Sequence, residues 1–317
     1  MGVTLRGMAE GSFARGLFFG AIEEDVIFPW RECPPGETHT LQVLIDDTRR
    51  FFEEHVDSAA IDRAEQIPER VFAGLSQRRV FGLCAPRALG GLGFSATAGA
   101  RAVQEIAGLV LGIGITVAAH HSLALRALLL FGTDAQKARY VPRLAHGESI
   151  AAFALAEPGA GSDAAGIQTI ARTVTHTSSA ASTARAASGY SLDGAKGWTT
   201  NGGFADLFTV FARTSAPDEG AKPKITAFLV ERGRGVTSGP NQSKLGVRGA
   251  STTLVRFDGV HVPAENVLGE IGRGFRVAMQ SLDHGRLDLS SASVGVCQRA
   301  IKLTLDRCRQ RRAFGRP

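Results

Sequence analysis

Apolar residues recur three and four positions apart through the first half of the chain, give way to short apolar runs between turn residues, and return to helical spacing near the end. Leu41, Leu44, Ile45 and the pair Phe51-Phe52 share one side of a helix predicted from Leu41 to about His55. A second helix starts near Pro68, where proline is tolerated, and carries Val71, Leu75 and Val80. Pro86 to Phe94, with Gly90, Gly91 and Gly93, reads as a loop. Ile106 to Leu125 is an uncharged run of 20 residues, by length alone able to span a bilayer. Gly108, Gly112, Gly114, Thr116, His120, His121 and Ser122 dilute it, so the pattern favours a helix buried in a helical domain. Thr133 caps a further short helix with Asp134 in its first turn, expected to stop before Pro142.

The sharpest break is Phe153 to Asp163, Phe-Ala-Leu-Ala-Glu-Pro-Gly-Ala-Gly-Ser-Asp. Pro158, Gly159 and Gly161 rule out a regular element and leave backbone open to the close approach of a large planar ligand. A second polar-aromatic turn follows, Lys196-Gly-Trp-Thr-Thr-Asn-Gly-Gly203. Between and after these turns the pattern is β: Tyr190 to Gly194 leading into a turn, then Leu207–Arg213, Ile225–Glu231 and Leu254–Val262. His176 to Ser188 is a Ser/Ala/Thr-rich insert, expected at the surface. Two helices close the chain, Phe275–Leu282 and about Leu289–Gln310, the second with Leu289, Ala292, Val296, Ala300 and Leu303 on one side. That amphipathic helix has no partner after it and reads as half of a bundle, so the chain is expected to end within a domain.

The division expected is an extension and linker over 1–40, with Arg31–Thr40 rich in turn residues, an all-α domain over 41–150, a β domain over 151–267, and the start of a second helical domain over 268–317. The fold class is α+β: a helical domain, a middle β-barrel or sandwich, and a partial helical bundle. With 317 residues and 44% hydrophobic content the chain can bury a sizeable core. The net charge of +6 suits an anionic partner such as a coenzyme A ester. No basic block interleaved with aromatics argues for nucleic acid. Cys33, Cys84, Cys297 and Cys308 are scattered without a CxxC pair, which points to a reducing compartment and away from disulfides or a metal site. The adjacent His120 and His121 do not share a helix face and read as core or surface residues. Arg6 and Arg15 against the single acid Glu10 in the first 20 residues hint at the remnant of a targeting peptide.

The order helical segment, Glu157-Pro-x-x-Gly-Ser-Asp163, Lys196-x-Trp-x-Thr-Asn-Gly202, β segment and helix resembles the acyl-CoA dehydrogenases. Gly132-Thr-Asp-Ala-Gln-Lys137, Lys244-Leu-Gly-Val-Arg248, Val262-Pro-x-Glu-Asn266 and Gly274-Phe275 add to the likeness, which spans nearly the whole chain. Within the family, Phe51-Phe-Glu-Glu54, Phe208-Thr-Val-Phe-Ala212 and Ile225-Thr-Ala-Phe-Leu-Val-Glu-Arg232 are most similar to the very-long-chain branch, which includes a relative that serves as an assembly factor for respiratory complex I.

The resemblance implies a FAD-dependent enzyme of fatty-acid β-oxidation. In the family a carboxylate removes the α-proton of an acyl-CoA thioester and the β-hydrogen leaves as hydride to the flavin, whose electrons pass to an electron-transfer flavoprotein. It further implies a homodimer, a mitochondrial location in the matrix or on the matrix face of the inner membrane with peripheral membrane contact, and complex I assembly proteins as alternative partners. By position, Phe153, Leu155 and Ala156 would line the flavin, Trp198 would stack near it, Thr200 would lie beside its reactive nitrogen, and Ser162 would face the cofactor or the coenzyme A side. Arg311 and Phe314 would reach a neighbouring subunit's FAD, the arginine suited to pyrophosphate. Asp283 and Arg286 would meet the substrate's pantetheine. Glu157 reads as a loop-fixing carboxylate. Two departures stand out. Ala156 replaces the family's usual threonine, removing one hydrogen bond to the flavin. Gly285 excludes the branch that carries its base there, so the catalytic base is expected beyond Pro317, and the chain alone is expected to be inactive. A non-catalytic assembly role and an acyl-CoA oxidase are the competing readings.

Overall fold

The computed structural model describes residues 13–18, 20–29, 32–174, 189–214 and 224–315. The insert at 176–188 and most of the basic N-terminal segment lie outside the described residues. Ten α-helices appear among those described: α1 (Phe13–Phe18), α2 (Glu24–Ile27), α3 (Pro35–His55), α4 (Ser58–Ala64), α5 (Glu69–Gln77), α6 (Ala96–Leu109), α7 (Leu111–Ala118), α8 (Leu125–Phe131), α9 (Asp134–His146) and α10 (Gly274–Gln310).

Helix α3 begins earlier than its periodicity indicated, so Arg31–Thr40 is not a linker throughout. Pro35 occupies the first helical turn, where a fixed φ favours the helix and no N–H is missed. The long uncharged run also differs from one helix: Val110 is extended, with φ −145° and ψ 105°, and splits it between α6 and α7. A turn of π-helix at Ala119–Ala124 joins α7 to α8. The span Leu111–Phe131 is long and apolar enough to cross a membrane by length and composition, but 72% of its most apolar window is buried inside the protein, as expected of a core helix.

Thr133 and Gln136 form a capping box at the start of α9, as the Thr133 cap suggested. The expected stop before Pro142 does not occur. The proline costs the helix interior about 3 kcal/mol. Burial of Val141 and Leu144, each contributing roughly 1.5–3 kcal/mol, outweighs it. The helix ends instead at Gly147, whose φ of 72° needs a residue without a β-carbon.

Eight strands form one sheet in the order β6-β7-β3-β2-β4-β5-β8, with β1 pairing parallel to β4. They are β1 (Ala151–Ala154), β2 (Ile170–Val174), β3 (Gly189–Thr200), β4 (Leu207–Arg213), β5 (Ile225–Glu231), β6 (Val236–Asn241), β7 (Thr252–Pro263) and β8 (Val267–Leu268). The Tyr190–Gly194 stretch does not end in a turn; β3 runs on through Thr200, paired with β7, and bulges at Lys196/Thr199. β4 and β5 are buried on both faces, which explains their unbroken apolar runs. On one face Phe208, Val210, Phe228, Val255 and Phe257 pack within the sheet domain. On the other, Phe211 and Leu229 meet Leu128, Val141 and Leu144 of the N-terminal helices and Val277 and Ala278 of α10.

The two closing helices read from the sequence are one helix of 37 residues. Gly285 lies within it and admits Leu123: a β-carbon there would collide with that side chain. Farther along, Gly295 packs against Gly108 of α6, and a methyl on Gly295 would overlap the Gln104 carbonyl.

Candidate functional site

Strand β1 delivers the chain into Leu155–Asp163. Glu157 and Ala160 exchange backbone hydrogen bonds of 3.1 and 3.0 Å around Pro158-Gly159. The Glu157 carboxylate points inward and accepts from the Gln168 amide (2.6 Å), the Thr169 amide (2.9 Å) and the Thr169 hydroxyl (2.6 Å). Lys196, fully buried on β3, pairs with it at 2.8 Å and donates to the Leu155 carbonyl at 3.1 Å. The Gly197 amide adds a bond of 2.8 Å to the Ala156 carbonyl. Two segments far apart in sequence are thereby clasped together, and Glu157 is the loop-fixing group the sequence suggested. Burial pushes the Lys196 ammonium down to about 8, with Glu157 opposing. Burial works to raise the Glu157 carboxyl, but Lys196 and the Thr169 and Gln168 donors outweigh it and hold it below the usual range. Both groups are charged at neutral pH.

The clasp aims Trp198. At the bulge its φ is 54°, uncommon for a side chain this bulky, and the indole is left 63% exposed over a groove of about 480 Å³. Asn201, also at positive φ (65°), is buried and donates to the Thr116 and Ala151 carbonyls at 3.0 and 3.3 Å, tying the end of β3 to the helical domain. Phe153, Leu155, Ala156 and Ser162 line one wall of the groove with Trp198, and Phe275, Met279, Leu282 and Arg286 of α10 form the opposite wall. A β-carbon at Gly159 or Gly161 would meet nothing within 4 Å, so the loop's outer edge is open.

Six of the residues singled out from the sequence thus meet at one groove: Phe153, Leu155, Ala156, Ser162, Trp198 and Arg286. Asp283 holds Arg286 at its rim through a 2.8 Å ion pair. Thr200 is half-buried on β3 beside Thr252 and does not line the groove. Arg311 and Phe314 stand exposed past the end of α10, about 37 Å along the helix axis from Arg286. Sequence reasoning missed Phe275, Met279 and Leu282; their spacing with Arg286, at three and four residues, was the signal. A wider cleft of about 890 Å³ lies between the α4–α5 region and the sheet, and none of the residues singled out lines it.

The lining suits a flat heteroaromatic ring: an exposed indole and apolar side chains on facing walls, an open glycine edge, and polar Ser162, Asp163 and Arg286 toward the mouth. Ala156 offers a methyl and a backbone edge only. Among the described residues no cluster of three His, Cys, Asp or Glu side chains could hold a metal.

A helical domain, a sheet domain and a returning helix, with an aromatic groove between the last two, define the architecture that the sequence resemblance implied. The chain belongs to the acyl-CoA dehydrogenase family, matching its N-terminal domain over residues 38–148, its middle domain over 152–260 and its C-terminal domain over 272–317. It is 44% identical over 309 residues to the mitochondrial very long-chain specific acyl-CoA dehydrogenase of Homo sapiens, covering 96% of this chain and 46% of that protein. It is similar to the structure of butyryl-CoA dehydrogenase from Megasphaera elsdenii, with a TM-score of 0.80 and 32% identity over 90% of this chain and 72% of that one. The acyl-CoA dehydrogenase of Bacillus anthracis, solved in complex with FAD, matches with a TM-score of 0.77 and 31% identity, covering 88% of this chain and 46% of that one. The chain spans about half the length of the very long-chain relatives it matches.

Proposed function

We propose that this chain carries the flavin-binding and acyl-thioester-binding half of a FAD-dependent acyl-CoA dehydrogenase acting on long or very long acyl chains. The observation that carries the reading is the Glu157–Lys196 clasp, which brings the two family turns together and presents Trp198 over an apolar groove. The likeness to the human very long-chain enzyme supports the chain-length class; the FAD complex of the Bacillus anthracis relative supports the cofactor.

When bound, FAD supplies the hydride acceptor. The chain's own residues supply place and environment. Trp198, Phe153 and Leu155 take up the ring's apolar area and exclude water from it. The backbone at Leu155–Ala156 meets its polar edge, and the Ser162 hydroxyl donates at the groove mouth. Arg286, oriented by Asp283, receives the polar arm of the thioester. Arg311 and Phe314, exposed at the end of α10, reach toward the cofactor of a second copy, which supports a homodimer. Thr200 belongs in this reading only if the bound ring extends beyond the groove. Glu157 is not the proton acceptor for the α-carbon in this reading, because its four donors engage it fully. Electrons leave to an electron-transfer flavoprotein, and the location is mitochondrial.

The test is titration of the chain with FAD followed by palmitoyl-CoA, monitored calorimetrically and by flavin absorbance. Saturable binding of both, with no bleaching of the flavin, is the expected result. Absence of FAD binding would overturn the reading in favour of a cofactor-free assembly partner, and bleaching would overturn the placement of the base.

A further inference from the structure

On the far side of α10 from the groove, a second cavity of about 70 Å³ lies between the N-terminal helices and α10. A water needs on the order of 10–15 Å³ of such volume, so this space admits a few waters or one similarly small polar molecule. Its walls hold Cys84, His121 and Asp288, with Arg126 and His284 opposite and apolar Leu125 beside them. None of these residues takes part in the flavin groove.

His121 and Asp288 are both buried, with Nε2 and Oδ2 2.8 Å apart. The two atoms are close enough for an ion pair but out of line for a hydrogen bond, so each retains capacity for a further partner in the cavity. Burial opposes a charge on His121, yet the Asp288 carboxylate outweighs it and lifts the imidazole to about 10, with Cys84 adding in the same direction. The neighbouring His120 behaves oppositely. Burial and the adjacent His121 push it down to about 3, and its two ring nitrogens are spent on the Leu144 carbonyl and the Ala151 amide, at 3.1 and 2.9 Å. Arg126 is engaged by His284 at 2.8 Å. Arg126 keeps an unpartnered Nε, but a guanidinium does not give up its proton in a protein, which leaves His121 as the proton donor beside the sulfur.

Cys84 also sits at the start of α6: its thiol donates to the Ser95 carbonyl at 3.7 Å, and a β-carbon on Gly99 would collide with its sulfur. The positive end of a helix of this length favours negative charge developing nearby.

We propose that Cys84 is a peroxide-reactive thiol, with His121 as the proton donor to the departing oxygen and Asp288 as the group that orients His121. Hydrogen peroxide fits the cavity. The sulfur attacks one peroxide oxygen, the S–O bond forms and the O–O bond breaks. The departing hydroxide takes a proton from His121, which recovers one from the thiol. The products are Cys84 sulfenic acid and water; sulfur loses two electrons and peroxide gains them.

Cys297 and Cys308 are exposed and neither lines this cavity, which makes them internal references. The chain is exposed to limiting hydrogen peroxide, denatured, alkylated and mapped by peptide mass spectrometry, with and without prior thiol reduction. Cys84 is expected to lose alkylation roughly tenfold faster than Cys297 and Cys308, reversibly by reduction. Asp288→Asn and His121→Gln are expected to remove that excess while leaving the two reference thiols unchanged; near-ultraviolet circular dichroism identifies any variant that has lost its fold. A wild-type Cys84 that reacts no faster than the exposed pair overturns the proposal, whatever the variants do. Excess reactivity that survives in a folded Asp288→Asn variant overturns the role given to the His121–Asp288 pair.

Discussion

Replacing Lys196 with methionine isolates the clasp. The side chain is fully buried, and its ammonium satisfies the Glu157 carboxylate and the Leu155 carbonyl. Methionine keeps the apolar stem and removes the charge. Breaking a buried pair by deleting one partner costs about 3–5 kcal/mol. Glu157 retains three other donors at 2.6, 2.9 and 2.6 Å, which places the expected loss near 3 kcal/mol, the lower end of that range. In a chain of this size that lowers the melting temperature by roughly 6–12 °C. Urea unfolding followed by circular dichroism measures it, with the m-value expected unchanged. Arg172→Met provides the reference: its pair with Asp193 is 2.9 Å long but largely exposed, and its loss costs under about 1 kcal/mol. Adding Glu157→Gln to Lys196→Met removes the uncompensated charge and recovers part of the stability. A Lys196→Met loss no larger than that of Arg172→Met would refute the claim that this pair holds the two turns together.

Trp198→Ala leaves the melting temperature within experimental scatter, because the indole is 63% exposed, while calorimetry shows FAD binding weakened by about 1 kcal/mol, roughly fivefold; unchanged affinity would remove Trp198 from the site. Ala156→Thr restores a hydroxyl at the groove wall and tightens FAD binding by about 1 kcal/mol, readable in the same titration. Gly295→Ala forces α6 and α10 apart where Gly295 meets Gln104 and Gly108 and destabilises the chain by about 1–3 kcal/mol in urea unfolding. The His121 imidazole is raised from 6.5 in the unfolded chain to about 10 in the folded one, so its contribution is fully present below pH 6.5 and lost as pH rises through about 10. The stability difference between wild type and Asp288→Asn should shrink over that window, and a difference independent of pH would contradict the assignment.

The strands buried on both faces, β4 and β5, were legible because nothing in them alternates and turn residues bound each run. The Thr133 cap was legible because its chemistry is local. Glu157 and Lys196 could be marked as groups of interest, yet their pairing is a long-range event that propensity does not encode. Lys196–Thr200 read as a turn because Gly197 and a polar run look like one; pairing with β7 absorbs the irregularity as a bulge. Pro142 read as a break because it costs a helix locally, and it is overruled by what packs against α9, the sheet domain. The groove wall on α10 was overlooked because Phe275, Met279 and Leu282 are ordinary apolar residues until β1 and the loop after it are set opposite them. Arg311 and Phe314 carry a reading that concerns a second copy of the chain, so a single chain leaves them at the surface.

The π-turn at Ala119–Ala124 has a consequence for how this region tolerates change. A turn of this kind holds one residue more than the α-helical path requires. It allows two consecutive histidines to be buried against different partners, His120 against α9 and β1 and His121 against α10. Deleting one residue between 119 and 124 would return this stretch to the regular α-helical path, with the helix on either side keeping its direction. Ile113 and Val117 on one flank and Leu125 and Leu128 on the other would stay in their cores, but the shortened turn would no longer have room to bury both histidines. The extra residue is therefore not what holds the helix together; it adds a second buried imidazole, and a deletion here would read out as the loss of one histidine's contacts in a fold that is kept.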